Sequence, residues 1–199
     1  MLSIVRSVDG NLPHILDRVS SHRKTLFSVL PAGFAKGHGA SPSANIRANN
    51  TFAVPVLLSG IASLVLSSAE LKIVNNHHKN TLQRLLKLHD KTPECVIHFL
   101  SGSLPATALI HLRQLSLFSM ICRLPGTILN RIAYSVFSSH PDFYKSWFLQ
   151  IRILCIKYNL PSPLSLLSYP PAKEESKKLF KLKIVDWWQT TFRSETQNL

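Results

Sequence analysis

The stretch GSLPATALIHLRQLSLFSMICRLPG, residues 102–126, is apolar enough for a membrane, yet it carries His111, Arg113, Gln114 and Arg123. Pro105 opens a helical pattern there, and Pro125 with Gly126 closes it. His111 and Gln114 are three residues apart and Arg113 has Ser116 as its neighbour, so the polar groups share a narrow part of the circumference. The rest is Leu, Ile, Phe, Met and Ala. Charges at the centre of a bilayer are costly, and here they fall in mid-segment. The environment that suits this helix is a protein core that supplies partners for its polar groups.

Upstream, Ile15, Val19, His22, Leu26 and Val29 recur at three- and four-residue steps after Pro13, with Arg18, Ser21, Thr25 and Ser28 on another face. Leu2 to Val5 reads as a short β-like start. The segment PAGFAKGHGASP lacks the Gly-Lys-Ser/Thr ending of a phosphate loop and reads as a connection. Ser41 before Pro42 is an N-cap followed by proline at the first helical position. Residues 48–69, ANNTFAVPVLLSGIASLVLSSA, run without a formal charge, near the ~20 residues a span requires. Pro55 and Gly60 interrupt them, and Ser67 with Glu70 fits a capping box that starts a new helix.

That next helix places Leu71, Val74, His78, Leu82 and Leu85 on one side and Lys72, Asn76, Lys79, Gln83 and Lys87 on the other. His78 reads as a hydrogen-bonded core histidine. Thr92, Pro93 and Glu94 start a short helix in the order cap, proline, acid, and Gly102 ends it. Residues 127–138 and 141–158 are helical, the latter with an apolar stripe through Phe143, Trp147, Ile151, Leu154 and Tyr158. LPSPLSLLSYPP breaks the chain, and a last helix runs from about Lys173 to Phe192.

The chain of 199 residues is long enough for a real core, and 23 Lys and Arg against 10 acids give a formal net charge of +13. That excess favours a polyanionic partner. It is spread evenly, with 6 basic and 2 acidic groups in residues 1–66, 7 and 3 in 67–126, and 10 and 5 in 127–199. An anion-binding surface must therefore be assembled by folding. Cys95, Cys122 and Cys155 lack any CxxC or zinc-knuckle spacing and read as buried, reduced thiols of an intracellular protein, nuclear or cytoplasmic. The N-terminus has no continuous apolar core of a secretory signal; Arg6, Arg18 and Arg23 among serines leave a mitochondrial presequence open, with Asp9 and Asp17 against it. The acids are scattered, and no G-x-S-x-G elbow or H-E-x-x-H helix occurs, so no residue is singled out as catalytic, metal-binding or cofactor-binding.

LPATALIHLRQLSLFSMICRLP resembles the segment downstream of the polymerase core in reverse transcriptases of non-LTR (LINE-type) retrotransposons. FSVLPAGFAKGHGASP and FAVPVLLSGIASLVLSSAEL are similar to the thumb that follows the palm. KNTLQRLLKLHDKTP, KSWFLQIRILCIKYNLPSPLSLL and KIVDWWQTTFR are similar to the helical extension beyond it, and MLSIVRSVDGNL to the strand and turn that end the palm. Departures are Met1-Leu2-Ser3 where a Leu-Gly pair is common, Thr107 where Glu is common, and a less basic 41–52. The resemblance implies an all-α chain: a palm-end strand remnant over 1–12, thumb-like helices over 13–66 and a helical extension over 67–199. It also implies an RNA-directed DNA polymerase without its catalytic aspartates, the Mg they hold, or an endonuclease, so no enzyme as it stands. The expected partner is the backbone of RNA or an RNA–DNA hybrid, bound weakly, with the missing polymerase half as a second. Charge and helical phase choose Arg18, Arg23, Lys24, Lys72, Lys79 and Lys87 as the contacting groups. Competing readings are a small membrane protein anchored by 48–69, which the interruptions disfavour, and a helical protein-interaction module using Trp187 and Trp188.

Overall fold

The computed structural model describes residues 10–29, 41–139 and 146–197, and among them there are helices and no strand. The order is α1 (Leu12–Val29), α2 (Pro42–Ala48), a π-helical turn (Asn49–Ala53), α3 (Val54–Leu57), a 3-10 turn (Ile61–Ser63), α4 (Ser68–Leu85), α5 (Glu94–Ser101), α6 (Ala106–Cys122), α7 (Ile128–Ser138), α8 (Trp147–Lys157), α9 (Pro163–Ser168) and α10 (Lys173–Gln197). The all-α reading holds. The Leu2–Val5 strand and the connection through 30–40 lie outside the described residues.

Local chemistry sets most boundaries. Ser41, Thr127, Ser146 and Ser162 each cap a helix by accepting a bond from a backbone amide three residues on. Gly102 ends α5 in the left-handed conformation, φ 60°. Lys87 and Asn159 take the same region at φ 56° and 48°, where the Leu88 amide reaches Gln83 O and the Leu160 amide reaches Cys155 O to close each helix end. Pro55 explains the wide turn before it: it has no amide for an ordinary i→i−4 bond and its ring crowds that carbonyl, so the Val54 amide reaches back to Asn49 O instead. The uncharged 48–69 run is thereby cut into short pieces, and no single helix among the described residues is long and apolar enough to cross a membrane.

The capping box at α4 is complete and does a second job. Glu70 Oε2 accepts from the Ser67 amide at 2.7 Å, and Ser67 Oγ accepts from the Glu70 amide at 3.3 Å. Glu70 Oε1 accepts from the Asn11 amide at 3.1 Å, tying the start of α1 to the start of α4. Burial works against this carboxylate, yet the Ser67 and Asn11 groups outweigh it and hold its pKa below the usual range. Glu70→Ala is expected to cost about 1–2 kcal/mol, because a cap and a helix–helix tie go together; urea denaturation followed by helical circular dichroism checks it.

Two compact units result. The first takes residues up to Ile61 and Leu66–Thr107, the second Ala62–Val65 and Ala108–Leu199. In this division α4 and α5 fall with the first helices. In the first unit Ile46, Leu82, Leu85 and Ile97 form an apolar cluster with Leu86 and Leu88 packed on it. In the second, Phe118 is fully buried with the Phe137 ring at 5.7 Å and the Trp147 ring at 6.5 Å. The four residues Ala62–Val65 are held there by side chains from far along the chain: Trp147 Nε1 donates to Ala62 O at 2.8 Å and Gln114 Nε2 to Leu64 O at 3.0 Å.

Three polar side chains of 102–126 find partners inside the protein, although Gln114 Oε1 is buried without one in good geometry. His111 Nδ1 is 2.7 Å from Tyr158 Oη, Gln114 holds Leu64 O, and Arg123 donates to Ser119 Oγ and Ser176 Oγ. All three cysteines are buried free thiols, and burial pushes Cys122 and Cys155 up to about 12. Some local readings change. Pro93, not Thr92, sits at the cap of α5, and the Thr92 hydroxyl donates to His89 O. LPSPLSLLSYPP contains α9, since Ser162 and Pro163 are an N-cap and N1 pair.

Candidate nucleic-acid interface

The candidate cations of the first unit sit on α1 and α4. These helices are in contact, and His22 Nδ1 on α1 lies 3.0 Å from His77 Nε2 on α4. Burial places two of the sequence-chosen groups in local ion contacts. Arg18, half-buried, is paired with Asp17, and Lys79, half-buried, lies close enough to Glu94 to help hold that carboxyl down. Arg23, Lys24, Lys72 and Lys87 are exposed, with no carboxylate partner among the described residues.

Those four do not form one surface. Each helical residue turns about 100°, so Lys24 is turned far from His22, and Lys72 and Lys79 are turned away from His77 and the α1 seam. Lys87 falls beyond the end of α4 rather than on its polar stripe. Gln83, also assigned to that stripe, is buried and donates to His89 O. Arg84 was not chosen from sequence, and it is the α4 cation that shares the seam: it is seven residues, two turns, beyond His77 and exposed. The signal was present in the register, but α1 as the covering element was not.

The seam holds imidazoles in the neutral form. Burial, then Arg23 against a helping Asn49, lowers His22 to about 4. Burial, then His22, Arg23 and Arg84, lowers His77 to about 4. Behind it His78 is fully buried and lowered to about 3, first by burial and then by His98. Its ring nitrogens lack partners in good hydrogen-bond geometry, with only weak help from the Leu104 backbone, so the expected hydrogen-bonded core histidine is buried but poorly satisfied. On α5, His98 Nδ1 contacts Ser103 O at 2.9 Å and Nε2 faces Glu94 Oε1 at 3.7 Å.

Among the described residues there is no group of three or more His, Cys, Asp or Glu that could hold a metal ion. Compared with known proteins, the chain matches no family model, no curated protein and no solved structure.

Proposed function

We propose that the chain corresponds to the thumb and helical extension of a non-LTR reverse transcriptase, and that it grips an RNA–DNA duplex through the sugar-phosphate backbone. The observation that carries this reading is that Arg23, Lys24, Lys72 and Lys87, spread over more than one face of the first unit, are exposed with no carboxylate partner among the described residues. The collinear resemblance over nearly the whole chain and the helix-only architecture of the described residues support it. Lysines and arginines neutralise phosphates and release condensed counterions, so the grip is independent of base sequence. In that family polymer synthesis requires the paired aspartates of a palm, so the part proposed for this chain is to hold the duplex.

Fluorescence anisotropy on a labelled hybrid duplex across a salt series tests the proposal. Each neutralised phosphate contributes about −0.9 to the log–log slope on B-form DNA, so a duplex that reaches two of these cations at once gives a slope of roughly −2. Replacing Arg23, Lys24, Lys72 and Lys87 together by Gln is expected to flatten it. A salt-independent signal, or no binding at low salt, overturns the reading.

A further inference from the structure

We infer that the cleft lined by α2, the π-helical turn and the ends of α4 and α5 binds a small aliphatic carboxylate, whose head meets Arg47 and whose tail lies against Ile46, Leu86 and Leu100. The site goes beyond the nucleic-acid reading and uses none of its cations.

The apolar cluster of the first unit supplies the base of the cleft. Ile46 belongs to that cluster, Leu86 packs on it, and both line the cleft. Leu100, in the last turn of α5, lines it too and remains 52 % exposed. The volume is about 600 Å³, within the range of sites that hold an apolar body and fix it with a few polar groups. Those polar groups come from one short length of chain. Arg47 lies in the last turn of α2, and Asn50 and Thr51 follow in the π-helical turn, a rare form that recurs at functional sites. Asn50 Nδ2 donates to Ser103 Oγ at 2.9 Å, which ties this turn to the stretch after α5. Arg47 and Thr51 are exposed, and neither side chain has a partner among the described residues.

The lining selects the ligand. Among the described residues Arg47 is its one charged group, so the cleft suits a single negative charge. A guanidinium fork matches the two oxygens of a carboxylate, and the Thr51 hydroxyl supplies a further donor. No aromatic ring is among the described lining residues, so a nucleobase has no face to stack on. Leucine and isoleucine walls favour an alkyl chain, which gains by leaving water.

The probes are hexanoate, heptanoate and octanoate, with octan-1-ol as the neutral counterpart, at neutral pH where the acids are ionised. Methyl NMR of the whole chain follows Ile46, Leu86 and Leu100 as each is added. The expected result is a saturable shift at these three positions, with affinity rising about two- to fourfold per added methylene. Octanol is expected to bind about tenfold more weakly than octanoate, the scale of one charge-assisted hydrogen bond. Arg47→Gln should remove that difference, weakening octanoate by about tenfold and leaving octanol unchanged. Leu100→Ser should flatten the rise with chain length. Both positions are exposed, and circular dichroism confirms that each variant is folded. Equal affinity for octanoate and octanol, or octanoate binding that survives Arg47→Gln, overturns the site. So does a shift that never saturates, or a folded Arg47→Gln that loses both probes alike. Hybrid binding without an octanoate response rejects this site and spares the nucleic-acid reading; an octanoate response without hybrid binding does the reverse.

Discussion

Lowering the pH from 7 to 4 in the absence of anions is expected to open the first unit while the second stays folded. An unfolded imidazole takes its proton near 6.5, whereas His22 and His77 resist until about 4 and His78 until about 3. Between those values the unfolded chain binds more protons, so stability is complete above about pH 7 and is lost as pH falls. Fully buried His22 and His78 contribute roughly 3 and 5 kcal/mol when the loss is complete, and half-exposed His77 contributes less. That sum is comparable with the whole stability of a small domain, about 5–15 kcal/mol. Arg23 and Arg84 oppose protonation at the α1–α4 seam, where two of these histidines meet, whereas His78 alone of the three faces α5. Amide exchange should therefore rise in α1 before α5. Among the described residues the second unit has one such histidine, His111, lowered to about 3 by burial and then by Lys157. Simultaneous loss of protection in α1, α5 and α8 would refute the ordering.

Phe118→Ala should lower the stability of the second unit by about 3–5 kcal/mol, the usual cost of emptying a fully buried aromatic site. Its ring packs edge-on to Phe137 and tilted against Trp147, so truncation leaves a cavity between α6 and two other helices. Phe118→Leu should cost markedly less, because more of the volume remains. All three tryptophans, Trp147, Trp187 and Trp188, belong to this unit, so the fluorescence midpoint in urea reports it directly. An unchanged midpoint would mean that Phe118 is not part of the packed core.

Helix starts were legible in the sequence because caps act over three or four residues: Ser41–Pro42, Ser67–Glu70 and Gly102 are self-contained signals. The need of His111 and Gln114 for protein partners could also be read, from the cost of burying polar groups without them, but not which partners. Tyr158 and Leu64 lie 47 and 50 residues away. The seam was hidden for the same reason. A helical wheel gives each helix one apolar and one polar side, and assigns every lysine opposite the core to a single stripe. It cannot say that α1 covers the side of α4 that ends in Arg84, which is what separates that guanidinium from Lys72 and Lys79. The charge total pointed to a polyanion; the arrangement of charge came only with the packing of helices 55 residues apart.

The Ala62–Val65 segment bears on how the protein is made. A ribosome adding roughly 5–20 residues per second finishes these four residues while both groups that will hold them are still unwritten in the growing chain. Gln114 follows Leu64 by 50 residues and Trp147 follows Ala62 by 85, an interval of several seconds. During it the nascent polypeptide carries bare carbonyls next to Ile61, in a length of backbone that water and chaperones must keep serviceable. Translation stalled in that interval would leave α1 to α5 assembled around a loop whose destination had not yet been synthesised.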